Sequence, residues 1–153
     1  MEESFILEII EDDVVGRVTI PVRVENLRDL YDAERGNLPA EQVRRLDVIE
    51  ALVDTGSTMM ALPTRMIQQL GLMKSRERSV ITTRGASVAA IYDAVRITIL
   101  ERICVVEVME VPDVVPALVG QIPLEMLDLV VNPVERTLTT NPAHGGEHVL
   151  ELL

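Results

Sequence analysis

The apolar run from Val48 to Val53, interrupted only by Glu50, drives straight into Asp54-Thr55-Gly56-Ser57. A carboxylate at the end of a buried strand is costly unless it has a partner or a task. The chain must therefore form a strand, turn sharply after it, and give the acid a use. The turn is within reach of these residue types, because Asp, Gly and Ser each favour tight turns for a different physical reason.

The rest of the chain is written in the same period. Val18, Ile20, Val22 and Val24 alternate with Arg17, Thr19 and Arg23, the pattern of a half-buried strand, and Pro21 moves part of it towards a sheet edge. Residues 5–10 read as a short strand. Residues 79–100 contain two strand-like runs around Thr83-Arg84-Gly85-Ala86, a hairpin signal with glycine in the loop. A further strand ends at Pro112, and another runs through Ala117, Leu118 and Val119 into Gly120. A short helix entered at Pro123 and a strand at 128–131 come next. Asn132–Arg136 make a turn, Thr137–Thr140 a last strand, and 141–146 a loop before the tail, which we take as 141–153.

Helices are brief. One is predicted over residues 63–70, stopped by Gly71, and one over 39–46, entered at Pro39. The latter lies in residues 26–46, where charge is dense and alternation stops, and we read that segment as an insertion too short to own a core. Apolar residues make up 48% of the chain but aromatics only 2%, so the core is expected to be aliphatic and rich in β-branched residues, which favour strands. The expected class is all-β with small helices, one domain over residues 1–153.

Fourteen Lys and Arg against 25 Asp and Glu give a net charge of −11, which argues against a nucleic-acid partner. No apolar run approaches a membrane span, and residues 5–10 do not make a signal peptide. Cys104 stands alone in an apolar run and reads as a buried, inert thiol. The expected location is the cytoplasm. His144 and His148 flank Glu147, but Gly145-Gly146 spoil a helix there, so they read as exposed tail histidines rather than metal ligands. Asp128 and Glu125 read as a solvated face, and the seven Met as core filler.

Two apolar residues followed by Asp-Thr-Gly-Ser, as in Leu52-Val53-Asp54-Thr55-Gly56-Ser57, resemble the active-site loop of aspartic proteases. Leu118-Val119-Gly120 before a short helix resembles a second element of that fold, about 65 residues on, and residues 79–91 stand where the family has its flap. Order and spacing are similar to the single-domain, retropepsin-like branch, over about residues 14–140. The resemblance implies an acid-protease barrel with one lobe per chain, working as a two-fold homodimer without metal or other cofactor.

It further implies an aspartic endopeptidase in which Asp54 is the catalytic acid/base, Thr55 braces the paired loops, and Gly56 permits close backbone approach. Leu118, Val119 and Gly120 support the site. Ser57 is expected either to donate its hydroxyl to the outer oxygen of Asp54 or to be a small residue facing solvent. Thr83, Arg84, Gly85 and Ala86 fall at the flap tip over a peptide or protein substrate, although Arg84 also reads as a solvated hairpin charge. No second Asp-[Ser/Thr]-Gly occurs in the chain, so the second carboxylate is expected from a second copy.

The 26–46 insertion and a chain that continues past the strand after the late helix depart from the viral pattern, and the flap has one glycine where viral relatives are richer. Residues 5–10 and 148–153 pair either between subunits or within their own domain. The alternative function is a catalytically silent, dimeric peptide-binding module of the same fold. A β-barrel that merely resembles the family, with Asp54 in an ordinary turn, is a third reading.

Overall fold

The computed structural model describes residues 17–150, so the strand expected at 5–10 and the last tail residues lie outside it. The first half contains β1 (Val18–Asn26), α1 (Leu27–Glu34), β2 (Arg45–Val53), β3 (Met60–Pro63), α2 (Thr64–Leu70) and β4 (Lys74–Thr82). The second half contains β5 (Gly85–Ile99), β6 (Arg102–Val111), β7 (Leu118–Val119), α3 (Gln121–Met126), β8 (Leu129–Asn132) and β9 (Thr137–Thr140). Single 3-10 turns occupy Ala40–Gln42 and Pro142–His144.

Seven strands form one sheet in the order β1-β2-β7-β3-β6-β5-β4. The end of β1 also pairs with β5, Arg23 to Asn26 against Thr98 to Val95, which closes six strands into a ring and leaves β4 outside on β5. Pro21 sits where the β1–β2 register shifts between Ile20 and Val22, before the pairing with β5 begins. The residue without an N–H therefore falls at a bulge, where no ladder bond is lost.

The two-residue strand β7 decides the site. It lies between β2, to which it is parallel with Leu52 opposite Leu118 and Val53 opposite Val119, and β3, to which it is antiparallel at Ala61. A late piece of chain is thus inserted between the two strands that flank the Asp54 turn. The main core of Val, Ile, Leu and Met fills one side of these strands. Leu52, Ala61, Val111, Val115 and Leu118 form a second cluster. Residues 51–53, 60–63 and 117–120 are buried without a break. This explains why alternation fails there, since a strand covered on both faces reads as a continuous apolar run.

The 26–46 segment differs from expectation. The helix is at Leu27–Glu34 rather than 39–46, and Asn26 caps it by accepting from the Asp29 N–H at 3.0 Å. Arg44 cannot continue a helix from Pro39 because its carbonyl accepts from the Asn26 N–H, and Arg45 already pairs with Glu25. The Arg44 guanidinium and backbone N–H both bind the buried Asp29 carboxylate, at 2.8–3.0 Å. Glu25 is likewise buried, between Arg45 on β2 and Arg96 on β5. A second difference is that the hairpin expected at 79–91 is longer, since its strands run from Lys74 and on to Ile99.

Candidate active site

Asp54 is the first residue after β2, and four hydrogen bonds define its turn. Its N–H donates to the Val119 carbonyl at 2.9 Å, extending the β2–β7 ladder by one residue. Its own carbonyl accepts from Ser57 N–H at 3.1 Å and closes the turn. The Gly56 N–H donates to Asp54 Oδ1 at 3.0 Å. The Ser57 carbonyl accepts from Gln121 N–H at 2.8 Å, so the far side of the turn is tied to the start of α3. The carboxylate is half-buried and Thr55 and Gly56 are exposed, on a platform of strands buried on both faces. Among the described residues no cation is paired with Asp54.

Gly120 is required for space rather than for backbone freedom, since its φ of −87° suits any residue. A Cβ there would lie 2.4 Å from the Met59 carbonyl oxygen and 2.7 Å from the Thr58 carbonyl carbon. This close passage lets Gln121 and Ile122 donate to the Ser57 and Thr58 carbonyls at 2.8 and 2.9 Å. Leu118 and Val119 supply the ladder, and Gly120 supplies the clearance. The structure thus joins Asp54, Gly56 and Ser57 to Val119 and to the residue after Gly120. The Thr58 and Met59 backbone and the Gln121 and Ile122 amides also belong to this support, and sequence reasoning missed them. The signal was Gly120 itself, a small residue where a strand enters a helix.

Of the two roles expected for Ser57, the structure shows no hydrogen bond from its hydroxyl to Asp54; the Ser57 backbone N–H closes the turn and the Gly56 N–H donates to the carboxylate. Ser57 contributes its backbone instead.

Thr83–Ala86 form a separate unit at the end of the β4–β5 hairpin. Thr83 and Arg84 are the two turn residues between Thr82 and Gly85, while Ala86 already pairs with Ile81 in the ladder. Gly85 has φ +116°, a conformation that glycine adopts without steric cost. The Thr82 hydroxyl donates to the Gly85 carbonyl at 2.9 Å and accepts from Arg84 N–H at 3.2 Å, bracing the tip. Ile81, beside it, is 91% exposed.

Away from the turn, Cys104 is buried, and burial pushes its thiol up to about 11. Among the described residues no cluster of His, Cys, Asp and Glu is arranged to hold a metal ion, and no helix is long and apolar enough to cross a membrane. Asp128 and His144 are corrections. Asp128 is buried and accepts from His144 Nδ1 at 2.6 Å, Val149 N–H at 3.1 Å and Asn141 Nδ2 at 3.2 Å. The tail folds back onto the end of α3, which removes Asp128 from the solvated face and His144 from the exposed tail. His148 is exposed as expected, and its Nε2 lies 2.8 Å from the Met126 carbonyl.

Residues 46–127, which hold the turn, the hairpin, β7 and α3, match the family described as gag-polyprotein putative aspartyl protease. The match covers more than half of the chain, and the protein belongs to this retropepsin-like family of aspartyl proteases. Comparison with curated proteins finds no match.

Proposed function

We propose that the protein is an aspartic endopeptidase that acts as a homodimer, with Asp54 of each copy meeting across a two-fold axis. The observation that carries this reading is the placement of Asp54. A half-exposed carboxylate stands at the end of a strand whose last three residues are buried, held by the Gly56 N–H and without a counter-ion among the described residues. An acid kept at the end of a buried segment has a task, and with one Asp-Thr-Gly per chain the second carboxylate comes from a second copy.

Two carboxylates side by side resist double ionisation, so the pair holds one proton between them. The ionised member takes a proton from water as the oxygen attacks the scissile carbonyl. The protonated member gives its proton to the carbonyl oxygen, forming a neutral tetrahedral diol. Collapse of the diol returns a proton to the pair while the leaving nitrogen takes one and the C–N bond breaks. Thr55, exposed in the single chain, braces the two turns against each other, and Leu118–Gly120 keep each turn in place.

An extended substrate pairs its backbone with the β4–β5 hairpin, and its apolar side chains enter aliphatic pockets. Thr83, Arg84, Gly85 and Ala86 lie at the tip that closes over it. The single buried thiol suits a cytoplasmic setting.

The test is cleavage of a mixed peptide library by wild type and Asp54→Asn at acidic to neutral pH, with mass from light scattering. The expected result is endoproteolysis between apolar residues by a dimeric wild type, abolished in Asp54→Asn. A folded dimer that cuts nothing would replace this reading with a peptide-binding module.

A further inference from the structure

Beyond β9 the chain returns to α3, the helix that holds the Asp54 turn. The start of α3 is bonded to the Ser57 and Thr58 carbonyls. Its end is the attachment point of residues 141–149. Asp128, in the left-handed region at φ +54°, receives donors from Asn141, His144 and Val149. Arg102 on β6 donates from Nη1 to the Leu127 and Asp128 carbonyls at 2.8 and 3.1 Å, and from Nη2 to the Gly146 carbonyl at 2.7 Å. One guanidinium therefore caps the C-terminal end of α3 and clamps the returning tail. The tail and α3 also border a cleft of about 560 Å³, lined by Leu124, Asp128, His144 and Val149 among others. Polar anchors at Asp128 and Arg102 hold the tail beside it. α3 is only six residues long, so the strap and the Asp54 turn attach to it within about two helical turns of each other.

We propose that residues 141–149 are a strap that positions the Asp54 turn through α3, pinned by Asp128, His144 and Arg102. Asp128 and Arg102 are positioning residues in this scheme, acting on the turn through α3.

Several charged groups gather around His144. Asp128 faces it from the α3–β8 junction, Glu125 lines the same cleft from α3, Arg102 reaches the strap from β6, and Glu147 and His148 lie on the strap itself. Burial alone would raise the Asp128 carboxyl, but the bonds from His144, the Val149 N–H and Asn141 outweigh it and hold the group below its ordinary value. A lowered carboxyl contributes stability above its unfolded value and loses it as pH falls through the folded one. The carboxylate at the centre of the anchor therefore stays ionised into mild acid.

The activity part of the test rests on the protease reading, but the exchange part does not. Amide hydrogen exchange of the full chain would be followed at one pH, about pH 6, in wild type, His144→Gln and Arg102→Lys. His144→Gln should lose protection about three- to tenfold over residues 121–130 and also over 54–58, the size of one lost hydrogen bond. Arg102→Lys, which cannot span three carbonyls, should lower protection over the same two segments.

In peptide cleavage His144→Gln should lower kcat about three- to tenfold with KM unchanged. Protection lost in the strap but unchanged over 54–58 would overturn the proposal. If wild type cuts nothing, the exchange data decide the strap alone, and the protease reading fails separately.

Discussion

Gly120→Ala puts the close passage of β7 and the Asp54 turn to the test. The new methyl would sit 2.4 Å from the Met59 carbonyl oxygen, 2.7 Å from the Thr58 carbonyl carbon and 2.8 Å from the Met59 nitrogen. All three are backbone atoms, so no side chain can swing aside. The two segments must part by most of an ångström. Overpacking of this kind costs about 1–3 kcal/mol. The bonds from Gln121 and Ile122 to the Ser57 and Thr58 carbonyls stretch with it, adding about 1 kcal/mol. Replacing glycine restricts the unfolded chain and returns about 0.5 kcal/mol. The net is a loss of about 1.5–3.5 kcal/mol, or about 5–10 °C in Tm for a domain of this size. Urea and thermal unfolding at one fixed protein concentration would measure it, because self-association shifts the apparent midpoint. Peptide cleavage should fall in parallel, since the shift moves Asp54. A variant within about 0.5 kcal/mol of wild type, with full activity, would refute the claim that this passage is sterically closed. Gly85→Ala is the control: its Cβ meets nothing within 4 Å, so any cost there comes from φ +116° alone.

Three further outcomes are expected. Asp54→Asn should abolish cleavage while leaving the unfolding midpoint within about 0.5 kcal/mol, since a half-exposed acid without a salt bridge contributes little to the fold. Asp29 is held below its ordinary value chiefly by the Arg44 side-chain bonds, with burial opposing and the Arg44 N–H assisting. Its stabilisation is therefore present above about pH 4, the unfolded value, and lost as pH falls through the lowered folded one. Asp29→Asn should cost about 1 kcal/mol at pH 6, discounted because the Arg44 side chain is half exposed, and should flatten the acid limb of a stability–pH curve. Cys104, its thiol pushed up to about 11, should resist a disulfide reagent at pH 8 in the native protein and react at once in urea. Fast labelling without denaturant would mean that β6 opens readily.

Much of the fold was legible because backbone preferences are local. Alternation located β1, β5 and β6, a glycine-bearing turn located the long hairpin, and Gly71 in the left-handed region ended α2 as read. Asp54 and Gly120 stood out because each breaks a local rule, an acid ending an apolar strand and a glycine between strand and helix. The misreadings share a cause. The 39–46 helix failed because Arg44 and Arg45 are claimed by Asp29 and Glu25, 15 and 20 residues earlier. The β4 strand was cut short because its first residues are charged and exposed, which carries no alternation signal.

By itself the sequence determined the strands, the Asp-Thr-Gly turn, its single occurrence per chain and the family. Those rest on steric and hydrophobic preferences that act within a few residues. Only the tertiary structure decided that β7 slips between β2 and β3 to carry Asp54. It also decided that Glu25 is buried between two arginines, and that Asp128 and His144 leave the surface to anchor the tail on α3. Whether a charged group meets water or a partner depends on which distant segment is laid against it, and no local pattern encodes that.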